Sequence, residues 1–194
     1  MDSKKGVLGF AMCGSFCTMR RALQALTQLC EAGWQVMPIM SDAVFHTDTR
    51  FGSAADFRDQ VTSLCGTGIV HTTAGAEPFG PAIHLDALIV APCSGNTLAK
   101  AACGITDTAV TMAIKAQLRS DRPVLLGIAS NDGLSANLGN IGTMLNRKNV
   151  YFVPFGQDDP EKKPHSLICD FSQIASSLDA ALTGRQIQPL LLRQ

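Results

Sequence analysis

The stretch VLGFAMCGSFCTMRRALQALTQLCEAGWQVMPIMS, residues 7–41, decides the fold. It opens on an unbroken apolar run, Val7–Met12, that ends in Cys13-Gly14-Ser15. A run this short and without polar alternation reads as a strand buried on both faces. Met19, Ala22, Leu23, Leu26, Leu29 and Cys30 then recur at helical spacing, which places one apolar stripe along a helix. Gly33 stands where a left-handed residue would close that helix. Trp34–Ser41 reads as the next strand, and Pro38 argues against a fully paired centre for it. Strand, tight turn, helix and strand in quick succession make a βαβ unit, expected to be parallel and right-handed.

The same alternation continues outward. Ser53-x-x-Asp56 predicts a capped helix to about Leu64, followed by a short strand over Gly68–His71. Ala87–Pro92 is another buried-strand run, and it leads into Ser94-Gly95-Asn96-Thr97. A helical segment then reaches roughly Leu118, broken near Gly104. Pro123–Ser130 is the next strand, and the Gly- and Asn-rich segment Asn131–Gly142 is a loop entering a helix. Val150–Phe155 reads as a strand and Leu167–Leu182 as a closing helix ended by Gly184. The pattern predicts a single three-layer, Rossmann-like α/β domain with a parallel sheet. Its core covers about residues 6–184 and a C-terminal tail covers 185–194.

Composition supports one ordinary folded domain. A chain of 194 residues can bury about 70% of its unfolded surface. With 46% hydrophobic and 16% charged residues, a disordered chain is excluded. Lys+Arg and Asp+Glu both number 16, so no basic field recruits nucleic acid, and weak self-repulsion suits a homo-oligomer. Met1–Lys5 are polar and Val7–Met12 is too short for a signal segment or membrane span, so a cytoplasmic protein is expected. The seven cysteines are odd in number and scattered, which predicts free thiols rather than a disulfide framework or a metal site.

In an open parallel sheet, ligands sit beyond the carboxyl ends of the strands. Those ends here read Cys13-Gly14-Ser15, Ser41-Asp42, Cys93-Ser94-Gly95-Asn96-Thr97 and Ser130-Asn131-Asp132. Each is small and polar directly after an apolar run. Free N–H groups at helix starts favour an anion, and the hydroxyls of Ser15, Ser94 and Thr97 can donate to phosphate oxygens. Any one of these residues, taken alone, reads more readily as a helix cap than as a ligand contact. Four such ends in one sheet point to a phosphate-bearing ligand. No G-x-G-x-x-G follows the first strand and no P-loop is present, so a single terminal phosphate fits the first turn better than a pyrophosphate.

Cys13-Gly14-Ser15, Ala91–Ala99 (APCSGNTLA) and Gly104-Ile105-Thr106-Asp107 resemble the flavin-mononucleotide (FMN) flavoprotein family. That family holds the homo-oligomeric flavin-containing cysteine decarboxylases and the flavin prenyltransferases. Longer strings are similar to one branch of it: residues 49–52 (TRFG), 76–81 (AEPFGP), 131–134 (NDGL), 153–160 (VPFGQDDP), 162–164 (KKP) and 188–191 (QPLL). In that branch the flavoprotein works with a separate nicotinamide-binding chain, which carries NAD(P), to oxidise a small ring dicarboxylate in the mother cell of a sporulating bacterium. The resemblance implies that Gly14, Ser15, Ser41, Ser94, Gly95, Asn96 and Thr97 hold FMN, and that protomers assemble into homo-oligomers.

Departures from the family pattern narrow the activity. The catalytic histidine of the cysteine decarboxylases falls near Pro78 here, and His84 is out of register. Their Pro-x-Met-Asn clamp is replaced by Ser130-Asn131-Asp132-Gly133-Leu134. The prenyltransferase arginine and tyrosine have no counterparts. A dicarboxylate needs cationic or multi-donor partners, which makes Arg50, Lys162 and Lys163 candidate substrate residues; Asn131 and Asp132 join them, Asp132 as an acid/base group or a helix cap. Asp107 is read as a helix cap, and no residue is assigned as catalytic. Three functions stay open: one half of a two-component oxidoreductase, a flavin- or phosphate-holding scaffold beside a catalytic partner, and a stand-alone decarboxylase or prenyltransferase.

Overall fold

The computed structural model describes residues 5–192, so the polar start at Met1–Lys4 and the last two residues of the tail lie outside them. In chain order the elements are β1 (Val7–Met12), α1 (Met19–Glu31), β2 (Gln35–Met40), α2 (Asp42–His46), α3 (Ala54–Cys65), α4 (Thr73–Ala76), β3 (Ala87–Cys93) and α5 (Gly95–Ala102). They continue with α6 (Ala109–Arg119), β4 (Val124–Ser130), α7 (Leu138–Leu145), β5 (Val150–Phe152), β6 (Phe155–Asp159), β7 (Lys163–Cys169) and α8 (Ile174–Leu182).

The first βαβ unit forms for the reasons legible in its residues. Met19, Ala22, Ala25, Leu26 and Leu29 are the buried face of α1. Gly33, at φ +91°, closes the helix: its N–H donates to the Cys30 carbonyl at 3.0 Å, and the Trp34 N–H reaches the Leu29 carbonyl at 3.2 Å. That pair of bonds is a Schellman closure, and it needs a residue without Cβ strain at the left-handed position. β2 then pairs with β1 in parallel, Phe10 opposite Pro38. The Pro38 carbonyl accepts from Val70 N–H at 2.9 Å on the outer side, so the N–H that proline lacks also faces the outer edge.

The parallel strands run β2-β1-β3-β4, and β5 pairs β4. This is a doubly wound order with its reversal between β1 and β3. α1 and α8 pack against each other over one part of the sheet, and α6 packs against α4 and α5 elsewhere over it. All seven residues of β3 are buried. The chain therefore places β3, flanked by β1 and β4, at the centre of the core.

β4 has two partners beyond β3. Val124–Leu126 pair in parallel with β5, while Ala129 and Ser130 pair antiparallel with Ile168 and Leu167 of β7. β7 in turn pairs antiparallel with β6. The β6–β7 hairpin thus extends the sheet at the carboxyl end of β4. The tail residues Leu190 and Leu192 bond to Phe155 of β6 at 3.0 and 2.9 Å.

Three sequence expectations differ from the structure. Leu167–Leu182 is not one helix: Leu167–Cys169 end β7, and α8 begins at Ile174 after Asp170 accepts the Ser172 N–H at 3.0 Å. Pairing with Ala129 and Ser130 overrides the local helical spacing, as tertiary context commonly does. Val150–Phe155 is not one strand either, because β5 stops at Phe152 and β6 starts at Phe155 beyond Pro154, which has no donor. Gly68–His71 contributes only the bridge between Ile39 and Val70.

Ile89 is fully buried in β3 and faces Phe10 on β1 and Leu125 on β4. Ile89→Ala is expected to cost about 2–5 kcal/mol of stability. A urea denaturation midpoint lowered with unchanged slope checks it.

Candidate functional site

A cleft of about 570 Å³ opens at the carboxyl ends of β1 and β4. One wall is the turn after β1, Gly14 and Ser15, with the start of α5 beside it, Ser94, Gly95 and Asn96. Ser130, Asn131 and Asp132 follow β4, and the β6–β7 hairpin supplies Asp158 and Lys163. Arg50 and Phe51, from the segment between α2 and α3, complete the mouth.

Backbone donors converge on the first wall. Gly95 and Asn96 are the first two residues of α5, so their N–H groups have no intrahelical acceptor. Neither they nor the Gly14 N–H bond to any described residue. Ser94 caps the helix: its Oγ accepts from Thr97 N–H at 3.4 Å and donates to Thr97 Oγ1 at 3.3 Å. These donors bring no net charge, and their position at a helix start favours an anion.

The neighbouring wall carries a fixed carboxylate. Ser130 Oγ donates to Asp132 Oδ1, and the Asn137 amide donates to both carboxylate oxygens at 2.9 Å each. Asn140 Nδ2 in turn donates to Asn137 Oδ1 at 3.0 Å. The Ser130 hydroxyl first, and then the Asn137 amide, hold the Asp132 carboxyl below the usual carboxylate range, against an opposing effect of burial. Asp132 is therefore ionised at neutral pH. The cluster sits against Gly95. A Cβ there would stand 2.5 Å from Asn137 Nδ2, 2.5 Å from Ser130 Oγ and 2.7 Å from Asp132 Oδ1.

The two cations of the cleft differ. Lys163 Nζ lies 2.6 Å from Asp158 Oδ2, and that neighbour pushes the lysine up from its ordinary value. The Arg50 guanidinium rests over the Phe51 ring at 4.9 Å and has no carboxylate within ion-pair distance among the described residues. Burial pushes the Cys13 thiol up to about 11 and Cys93 well above its ordinary value, so both keep their protons. Cys17 is exposed on the cleft wall, and all seven cysteines are free.

Of the residues singled out from sequence, Gly14, Ser15, Arg50, Ser94, Gly95, Asn96, Asn131, Asp132 and Lys163 meet in this one cleft. Ser41, Thr97 and Lys162 are not on its lining. Ser41 Oγ caps α2 by accepting from Val44 N–H at 3.5 Å, and Thr97 is buried behind Ser94. The Lys162 N–H bonds Asp159 Oδ1 at 3.1 Å in the hairpin turn. Asp107 caps nothing: Thr108 is the cap of α6, and Asp107 pairs with Lys100 at 2.7 Å. His84 precedes β3, at the end of the sheet away from the cleft. Sequence reading did not single out Asn137 or Asp158. Neither belongs to a strand-end pattern, and each acts through a contact that only the folded loop or hairpin creates.

The chain matches the Flavoprotein family model over residues 1–176 and belongs to that family. Within it, the chain is 39% identical over 193 residues to the B subunit of dipicolinate synthase from Bacillus subtilis strain 168, covering 99% of this chain and 96% of that one. The crystal structure of the B subunit of dipicolinate synthase from Bacillus halodurans superposes with a TM-score of 0.91 at 39% identity, covering 100% of both chains. A dodecameric FMN-dependent Ubix-like decarboxylase from Escherichia coli O157:H7 matches with a TM-score of 0.62 at 27% identity, covering 76% of this chain and 79% of that one. Among the described residues no helix is long and apolar enough to cross a membrane.

Gly95→Ala should favour helix formation on propensity alone, by up to about 1 kcal/mol. The close approach to Ser130, Asp132 and Asn137 predicts the opposite, a loss of about 1–3 kcal/mol. Equilibrium urea unfolding of the variant decides the sign.

Proposed function

We propose that this flavoprotein binds FMN and serves as the B subunit of a dipicolinate synthase. With a nicotinamide-binding A subunit, which carries NAD(P), it supports oxidation of dihydrodipicolinate, or of its hydroxy-tetrahydro precursor, to dipicolinate. The observation that carries this reading is identity of 39% to the B subunit of dipicolinate synthase, sustained over 99% of the chain. The setting it implies is a homo-oligomer in the mother-cell cytoplasm of a sporulating bacterium.

The cleft suits the cofactor in size and donor chemistry. Its volume of about 570 Å³ lies within the roughly 300–1,000 Å³ usual for small-molecule sites. The N–H groups of Gly14, Gly95 and Asn96 and the hydroxyl of Ser15 form an uncharged donor set for a terminal phosphate, with Ser94 capping the helix beside them. FMN, when bound, supplies two-electron redox chemistry. Toward the substrate, Arg50 offers a planar guanidinium for one carboxylate, and Lys163 and Asn131 offer further donors. Asp132 carries a negative charge and so is assigned to a part of the substrate other than its carboxylates.

A second reading is a flavin-holding scaffold with all chemistry on the A subunit. One observation favours it: among the described residues, no histidine lines the cleft. Reconstitution of the A subunit with the flavin-free chain separates the two, because a scaffold restores oxidation without flavin and a catalytic flavoprotein does not.

Two substitutions test the site. Ser94→Asp keeps a competent helix cap but sets a negative charge in the proposed phosphate position. Like-charge repulsion there is expected to abolish flavin retention after desalting, read as the flavin absorbance band, while circular dichroism stays unchanged. Arg50→Ala is expected to leave the flavin band intact and to lower turnover with the A subunit, measured as dipicolinate formed.

A further inference from the structure

We propose that the Thr49–Gly52 turn sets the ring specificity of the cleft: Arg50 takes one substrate carboxylate while Phe51 packs flat against the ring that bears it. The site then prefers a planar ring dicarboxylate to a puckered one. The proposal rests on the substrate assignment made above for Arg50. The turn belongs to the segment between α2 and α3, and its tip, Arg50-Phe51, completes the mouth of the cleft.

The turn is braced on both sides of its tip. The Thr49 N–H donates to the Gly52 carbonyl at 3.0 Å, and the Gly52 N–H donates to the Thr49 carbonyl at 3.1 Å. Thr49 Oγ1 also accepts from the Phe51 N–H at 3.1 Å. Gly52 sits at φ +148°, a conformation that side chains rarely adopt, and a Cβ there would stand 3.1 Å from the Phe57 ring. Asp48 Oδ1 accepts the Ala54 N–H at 2.8 Å and ties the turn to the start of α3. Arg50 and Phe51 are thus held at the tip, on the lining of the cleft.

A single exposed apolar side chain is ordinary on a protein surface. Phe51 differs in where it stands. It is 39% exposed on the wall of a ligand cleft, whereas Phe16, the other aromatic residue of that lining, packs on the core. Its ring centre lies 4.9 Å from the Arg50 guanidinium, a cation with no ion pair or hydrogen bond among the described residues. A ring dicarboxylate satisfies both groups at once. Each carboxylate is bonded directly to the ring, so a guanidinium that grips it brings the ring beside Phe51. Packed aromatic rings settle with centres roughly 4.5–7 Å apart, a spacing within reach of that guanidinium. The flavin ring is planar too, but it bears no carboxylate, and its phosphate is assigned to the wall formed by Gly14, Gly95 and Asn96. A puckered ring meets a flat face through a few hydrogens, while a planar one lies along it. The contact therefore strengthens as tetrahedral ring carbons become trigonal, which favours the aromatising transition state over the ground state.

The test is calorimetric titration of the flavin-loaded full chain with two dianions of the same charge and similar carboxylate spacing. Benzene-1,3-dicarboxylate is flat, and cis-cyclohexane-1,3-dicarboxylate is puckered. The wild-type chain is expected to bind the flat probe, and dipicolinate, about three- to tenfold more tightly than the puckered one. Phe51→Leu keeps apolar bulk and should erase that ratio with the flavin band unchanged, and Phe51→Tyr should retain it. Any loosening of Arg50 in Phe51→Leu acts on both probes alike, so the ratio reports the ring contact alone. Arg50→Ala should weaken both probes. Equal affinities in the wild type, or a ratio that survives Phe51→Leu, would overturn the proposal and leave the proposed function standing. Loss of the flavin band in Phe51→Leu would assign Phe51 to the cofactor and overturn it as well. A wild-type chain that binds neither dipicolinate nor the flat probe would remove the substrate assignment and the proposal together.

Discussion

The site depends on the way β4 divides its hydrogen bonds. On the side away from β3, its first three residues pair with β5 in parallel, and its last two pair antiparallel with β7. A regular fifth parallel strand would carry the same ladder to the end of β4 and leave the carboxyl ends open. Instead β5 stops at Phe152, Pro154 interrupts the chain, and the β6–β7 hairpin takes the vacated edge. That exchange of partners brings Asp158 and Lys163 to the cleft. It also fixes Leu167 opposite Ser130, at the point where the chain turns toward Asp132. The price of such an arrangement is an exposed edge on β6, and the tail lies along it through the bonds between Leu190, Leu192 and Phe155.

Within the cleft, the two walls handle negative charge in opposite ways. The Gly14–Ser15 and Ser94–Asn96 wall offers dipoles and N–H groups without formal charge, a setting that accepts an anion from outside. The Asp132 wall has supplied its own anion and satisfied it internally with Ser130 and Asn137. Gly95 is shared between the walls. It starts α5, and its missing side chain admits the Ser130–Asp132–Asn137 cluster to within a distance that any Cβ would violate. The carboxylate also gains from the positive end of the α5 dipole. Buried thiols at Cys13, Cys93 and Cys169 pack behind this region, and burial keeps them protonated, so they serve as small apolar residues.

Much of this was legible along the chain. The runs Val7–Met12, Ala87–Pro92 and Pro123–Ser130 are dense enough in apolar residues that only a doubly covered strand suits them, and each became one. The stripe of α1 and its Gly33 closure were equally plain, because a helix cap is a local event. Pro38, through its missing donor, spoke against a fully paired centre for its strand. The small polar residues at the strand ends marked where a ligand would sit, since parallel strands with helical crossovers carry all their carboxyl ends to one side.

Local pattern failed where the partner was distant. Leu167, Ile168 and Cys169 are apolar enough to begin a helix, and it is pairing with β6 on one side and with the end of β4 on the other that makes them a strand. Lys162 and Lys163 are adjacent in sequence, yet the hairpin turns one into the cleft beside Asp158 and leaves the other outside its lining. Ser41 and Thr97 match the strand-end pattern, but the hydroxyl of each is engaged in a local contact. Asn137 carried no signal, because its function is a bond to a carboxylate five residues earlier across an irregular loop. The sequence by itself determined the first βαβ unit, the central strands, the family and the end of the sheet that holds the cleft, since apolar period, caps and turns act within a few residues. Only the tertiary structure decided which polar side chains share that cleft and which of them are ionised, because hydrogen bonds and charges act through distances in space that the order of residues does not record.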